Sequence, residues 1–151
     1  NASITGENFS SWYRQDEGAI DIDFKYYHKY QANDTVLSLI GDNGYVNIYQ
    51  FTSNPMLVVR AANNTTSFNA IVENPYIDGG INRKISFSYS AQGFATCLNA
   101  GDVISSDLAI HGHDTLYVGQ NSAGVVINGH IKKLSYYPQR LTNEQLQQLT
   151  K

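Results

Sequence analysis

A single cysteine, Cys97, stands among 151 residues, and this alone excludes an internal disulfide. It falls in the apolar alternation of GFATCLN, where a small buried thiol is expected. Charge is also scarce: Asp, Glu, Lys and Arg make up 15% of the chain, against a usual share of about a quarter. The net charge of −3 leaves no basic footprint for nucleic acid. No apolar run approaches the ~20 residues of a membrane span, so no membrane insertion is expected. A signal-peptide pattern is missing too, and the start at Asn1 suggests a mature or excised fragment. The sequons at Asn8, Asn33, Asn63 and Asn64 read as chance matches in an Asn-rich chain.

Asn, Ser, Thr, Gln and Gly fill the space that charge leaves, together with 11 tyrosines. With 42% hydrophobic residues the chain can bury a real core, and its length suits one domain over 1–151. Short strands broken by turn signals recur about every ten residues. GAIDIDFKY alternates strictly, with Ile20, Ile22 and Phe24 on one face and Asp21, Asp23 and Lys25 on the other. TVLSLI and YVNIYQF flank GDNG, where Asn43 and Gly44 suit the positive φ angles of a tight hairpin. MLVVRAA, SFNAIVE, RKISFSYS, GFATCLN, TLYVG and GHIKKLSYY complete the strands, with hairpin or turn signals at AQG and NAGD. The pattern predicts an all-β, jelly-roll β-sandwich of two antiparallel sheets with one short C-terminal α-helix. That helix is RLTNEQLQQLT: Thr142 is the N-cap, Gln145 completes a capping box, and Leu141 and Leu146 form a hydrophobic staple. Pro138 helps to end the strand before it.

The closing segment TLYVGQNSAGVVINGHIKKLSYYPQRLTNEQLQQL, residues 115–149, resembles that of concanavalin A-like lectin/glucanase (LamG-like) domains. A strand ending in Gly leads through a loop to an NGHI-type strand, then Tyr-Tyr-Pro, a basic residue and Leu-Thr-x-x-x-Leu. FSSWYRQDEGAIDIDF is similar to the entry strand of that family, with Trp12, Glu17 and Gly18 in place. RKISFSYSAQGFATCLNAGDV is similar to its central hairpin, while residues 27–80 match only loosely. The version most like this chain is the one at the C-terminal ends of bacteriophage tail fibre and tail spike proteins. The resemblance implies a jelly roll that usually binds saccharide and is catalytic in only some branches.

The acid pair Asp21 and Asp23 asks whether this chain cuts sugars. Same-face strand neighbours stand ~6.8 Å apart, and glycosidase carboxylates are ~5–9.5 Å apart, so spacing alone permits chemistry. The glucanase branch carries Glu, Asp and Glu at alternate positions of one strand. One register on this chain gives Ala19, Asp21 and Asp23; the other gives Glu17, Ala19 and Asp21. Neither delivers the full set, and a missing nucleophile removes the covalent step. The chain is therefore expected not to be an enzyme. Asp21 and Asp23 read as a solvated outer face pairing with Lys25, Arg60 or Lys84, or as direct ligand contacts. HGHD reads as a turn histidine pair, since a third metal ligand is missing nearby. Asp42, Asp78 and Asp102 form no dense oxygen-ligand run, so no cofactor and no metal site are expected.

Sugars are held by aromatic faces and by Asn, Asp and Arg side chains. Tyr45, Asn47 and Tyr49 share one face of a strand, with Phe51 after them, unless the tyrosines point into the core and Val46 and Ile48 point out. Tyr26, Tyr27, His28 and Tyr30 form an aromatic cluster that is either a sugar platform or an interface patch. Arg60, Asp21 and Asp23 are further candidate ligand contacts, Asn63 and Asn64 offer loop amides, and Trp12 reads as packing. The expected function is a non-catalytic receptor-binding domain of a phage tail fibre or spike, recognising cell-surface saccharide on the host. It would act on the virion, outside the cell, as part of a homotrimer. The alternatives are a structural trimer cap without a glycan site, a glycoside hydrolase, and a secreted bacterial lectin as the source.

Overall fold

The computed structural model describes residues 2–27, 34–50, 56–73 and 80–151. Eleven strands and two helices appear there in chain order. They are β1 (Ala2–Thr5), α1 (Glu7–Ser10), β2 (Glu17–Tyr27), β3 (Thr35–Gly41), β4 (Gly44–Gln50), β5 (Leu57–Asn63) and β6 (Ser67–Glu73). Then come β7 (Gly80–Ser90), β8 (Gly93–Leu98), β9 (Ile104–Ser106), β10 (Thr115–Val118), β11 (Gly129–Tyr137) and α2 (Asn143–Leu149). They build two antiparallel sheets. Sheet A runs β1-β10-β3-β4-β5-β6 and sheet B runs β11-β2-β7-β8-β9. This is the two-sheet sandwich with one short C-terminal helix that the strand spacing predicts. The short β1, α1 and β9 carry too few residues to show a period, and the pattern reading passes over them.

Alternation decides what each sheet buries. Ile20, Ile22 and Phe24 of β2 are all within 1% of fully buried and face Leu37, Leu39, Val46, Ile48 and Val59 of sheet A. Burying each such side chain contributes about 1.5–3 kcal/mol. Val46 and Ile48 are at 0% exposure, so Tyr45, Asn47 and Tyr49 point outward. In the first hairpin Asp42 and Asn43 form the turn, and only Gly44 takes a positive φ, 147°. A Cβ at Gly44 would fall 2.0 Å from the Ala62 carbonyl oxygen, so this residue could hardly be anything else.

A second, smaller layer lies on the far side of sheet B. The N-terminus of α2 is capped as the sequence predicts: Gln145 N–H donates to Thr142 Oγ1 (3.2 Å) and Thr142 N–H donates to Gln145 Oε1 (2.8 Å). Leu141 and Leu146 pack with Ala19, Ala95 and Cys97. Ser86 and Ser88, both fully buried on that face, donate to the carbonyls of Leu146 (2.9 Å) and Leu141 (3.3 Å). Small residues let the helix approach, and the hydroxyls pair carbonyls that would otherwise lose water. No described helix is long and apolar enough to cross a membrane.

Candidate functional site

Of the nine sequence-level candidates, six divide between opposite sides of the sandwich. Tyr45, Asn47, Tyr49 and Arg60 gather on the outer face of sheet A. Asp21 and Asp23 lie on the outer face of sheet B. Tyr27 ends β2 and is 40% exposed, with the Lys25 Nζ 5.4 Å from its ring centre. Tyr26 is a correction: it is only 3% exposed and packs beside Phe24, because it continues the inward alternation of β2. Its ring cannot lie against a sugar. Tyr30 lies outside the described residues, as do His28, Phe51 and Asp78.

The acid pair is also corrected. Asp21 is 4% exposed, not solvated, in register with Ser86 of β7 and Ser135 of β11 and beside the footprint of α2. Its Oδ1 is buried with no hydrogen-bond partner. Burial pushes its carboxyl above the ordinary aspartate range, with nearby Asp23 adding and Lys133 and Lys84 opposing. A raised acid beside an open one is the arrangement a glycosidase needs, but the cleft on this face is lined by Asp23 without Asp21. The two carboxyls do not flank a common open space.

Sheet A offers more. The strand register lays Ser3, Tyr117, Ser38, Asn47, Arg60 and Asn69 side by side across six strands. Neighbouring strands are ~4.8 Å apart, so the row makes a polar track long enough for several sugar rings. Tyr45 and Tyr49 flank it one step along β4 on either side, each partly exposed. Ser38 Oγ donates to Asn47 Oδ1 at 2.5 Å, which turns the amide N–H donors of Asn47 toward whatever binds. Arg60 sits beside Tyr45, its guanidinium carbon 6.0 Å from the ring centre. The Arg60 Nε is buried and has no hydrogen-bond partner. None of Ser3, Tyr117, Ser38, Asn47 and Asn69 in its row is an acid. Arg60 is thus a cation on a track that has no carboxylate. Sequence reasoning misses Tyr117, Ser38 and Asn69 from this track, because register between strands far apart in sequence leaves no local signal.

The remaining polar cluster is internal. The turn histidines of HGHD part company: His111 is exposed, but His113 is 1% exposed and its Nδ1 lies 2.5 Å from the Tyr13 hydroxyl. Trp12 packs edge-on against Tyr136 (4.8 Å) and Phe9 (5.2 Å), the packing role its position suggests. Among the described residues no group of three or more His, Cys, Asp or Glu side chains could hold a metal ion.

With this geometry the chain can be set beside solved structures. The Ruminococcus gnavus IT-sialidase CBM40 bound to alpha2,6 sialyllactose superposes with a TM-score of 0.72 at 15% identity, over 95% of this chain and 88% of that one. The chain shares the fold of a carbohydrate-binding module. Domain 4 of an extracellular GH43 arabinanase from Geobacillus stearothermophilus, in complex with arabinotriose, gives a TM-score of 0.67 at 15% identity, over 93% of this chain and 69% of that one. A native heptameric SAP-like pentraxin from Limulus polyphemus gives 0.66 at 12%, over 91% and 70%. No protein-family model matches the chain, and no curated protein matches it in sequence. The likeness is one of fold, a concanavalin-like jelly roll.

Proposed function

We propose that the protein is a non-catalytic glycan-binding module whose site is the outer face of sheet A. The observation that carries this reading is Arg60: a half-buried guanidinium with an unpaired Nε, between Asn47 and Asn69 in register and beside the Tyr45 ring. An unpartnered buried donor costs about 1–3 kcal/mol, a cost that a bound oxygen acceptor removes. Tyr45 and Tyr49 supply flat apolar faces for sugar rings, and Asn47 and Arg60 supply donors for their oxygens. Because the track carries a cation and no acid, a sugar bearing a carboxylate suits it better than a neutral one. Sugar-bound structures of the same fold support the glycan-binding part of this reading.

A glycan-array screen of the protein is the test, followed by titration of the hits. Tyr45→Ala is expected to weaken any hit about tenfold, equivalent to ~1.4 kcal/mol. Arg60→Gln is expected to weaken carboxylate-bearing sugars ~10–100-fold, since a hydrogen bond to a charged group contributes about 1.5–3 kcal/mol, and to spare neutral ones. Hits that ignore both changes in folded protein would end the assignment of the site to sheet A.

The narrower reading places the module at the end of a phage tail fibre or spike, where it recognises host surface glycan as one third of a homotrimer. It rests on the sequence resemblance alone. Sedimentation at high micromolar concentration is expected to give a trimer, and a clean monomer would remove that part of the proposal.

A further inference from the structure

The opposite face of the sandwich carries a charge pattern that the glycan reading of sheet A does not use. The chain has six lysines and a net charge of −3. Five of them, Lys25, Lys84, Lys132, Lys133 and Lys151, collect at one end of sheet B. Lys133, Asp23 and Lys84 form one rung across β11, β2 and β7, and His130, Lys25 and Asn82 form the next. A cleft of about 530 Å³ opens here, lined by Asp23, Asn82, Lys84, Asn99, Lys132 and Lys151 among others, and Asp23 is the one acidic side chain in that lining. Two of the ammonium groups make hydrogen bonds within this cleft. Lys84 Nζ donates to the main-chain oxygen of Lys151 (2.7 Å), and Lys132 Nζ donates to Asn82 Oδ1.

A local irregularity makes this density possible. The register of β11 against β2 slips between Ile131 and Lys133, so that Ile131 pairs with Phe24 and Lys133 with Asp23. Lys132 is the extra residue of a β-bulge. In a regular strand the side chains alternate, and one of two consecutive lysines would have to face the core. With the bulge, Ile131 and Leu134 both pack against the core, while Lys132 reaches Asn82 and Lys133 pairs with Asp23 on the outer face. Crowding like charges on one face is unfavourable, and here the bulge that keeps Ile131 and Leu134 on the core puts both lysines outside.

We infer that this cleft is a second binding site, independent of sheet A, for an oligosaccharide bearing phosphate or sulfate groups. The lysines supply charge-assisted donors, and Asn82 and Asn99 line the same cleft. The exposed Tyr27 ring beside Lys25 supplies a flat face at its edge. A glycan with spaced anionic groups fits better than a nucleic acid. The latter carries a charge at every nucleotide and would run off the patch onto a surface of net negative charge.

Short sulfated dextran oligosaccharides, their unsulfated parents, inorganic sulfate and an oligothymidylate of matching length are titrated at ~50 mM salt and followed by amide NMR shifts. The sulfated oligosaccharide is expected to bind, to shift the amides of Asn82, Lys84, Asn99 and Lys132, and to lose affinity as salt rises. The pair Lys132→Gln and Lys133→Gln, exposed and outside the core, is expected to weaken binding at least tenfold as read at those four amides, whereas their titration is the same in Arg60→Gln protein. The inference is overturned if the unsulfated parent binds as well, or if the loss follows Arg60→Gln and not the lysines. It is overturned equally if inorganic sulfate or the oligothymidylate binds the cleft as tightly. Failure here leaves the sheet A site untouched, and failure there leaves this one.

Discussion

Tyr89→Ala is expected to destabilise the protein by about 3–5 kcal/mol, the cost of deleting a large buried aromatic ring. Tyr89 is fully buried, stacks on Tyr13 at 5.4 Å and meets His113 edge-on at 5.5 Å. Its hydroxyl donates to the Arg14 carbonyl at 2.8 Å and lies 3.3 Å from the Tyr136 hydroxyl. Burial pushes the Tyr13 and Tyr89 hydroxyls well above the ordinary tyrosine range, so both stay protonated. The milder Tyr89→Phe keeps the ring and removes the hydroxyl, with an expected loss of about 1 kcal/mol. Gly18 faces this ring, and a Cβ there would fall 2.3 Å from the Tyr89 hydroxyl oxygen. Gly18→Ala is therefore expected to cost about 1–3 kcal/mol by overpacking. In the double variant the alanine methyl at 18 occupies space that Tyr89→Ala vacates, so the two losses should sum to more than the double variant shows. Urea denaturation of the four proteins measures this, and simple additivity would mean that the two sites do not share one space.

Stability is expected to fall by about 3 kcal/mol between pH 6.5 and pH 4 because of one residue, His113. Burial holds its imidazole down to about 4 in the folded protein, with His111 adding to the effect and Asp114 opposing it; the ordinary value is 6.5. The gap of 2.5 between those values, at ~1.4 kcal/mol each, sets the magnitude. Below pH 6.5 the unfolded chain takes up a proton that folded His113 refuses, so protons favour unfolding. The contribution is fully present above pH 6.5 and is lost as pH falls toward 4. Nδ1 is within hydrogen-bond distance of the Tyr13 hydroxyl, and Nε2 is buried with no hydrogen-bond partner. His113→Gln is expected to flatten the slope in this window. Asp21 works in the opposite sense: its raised carboxyl costs stability when ionised, and acid relieves that cost. Asp21→Asn should raise stability at pH 7 and steepen the acid loss that remains. A slope that survives His113→Gln would place the acid sensitivity elsewhere.

Much of the fold can be read from alternation. GAIDIDF shows which of its residues face in, and Thr142 with Gln145 marks where the helix begins, because both signals are local. The polar track of sheet A is only half legible. YVNIYQ carries two apolar alternations, and local pattern cannot choose between burying Tyr45 and Tyr49 or burying Val46 and Ile48. The choice is made by cross-strand partners: Val46 lies between Leu39 and Ala61, and Ile48 between Leu37 and Val59. Asn47 and Arg60 meet because β4 and β5 are neighbours in the chain. Tyr117 joins them because β10 inserts between β1 and β3, a pairing over a long sequence distance. Asp21 looked solvated because nothing in its strand announces a helix that returns from the C-terminus to cover that face. The bulge at Lys132 was equally silent, since KK in a strand shows no slip until the partner strand is placed.

The central claim is that glycan binds across the outer face of sheet A. Amide NMR shift mapping, with the tightest glycan-array hit, tests it most directly. The account predicts shifts along Tyr117, Ser38, Asn47, Arg60 and Asn69, flanked by Tyr45 and Tyr49. Shifts confined to sheet B or to the loops, with that track unmoved, would contradict it.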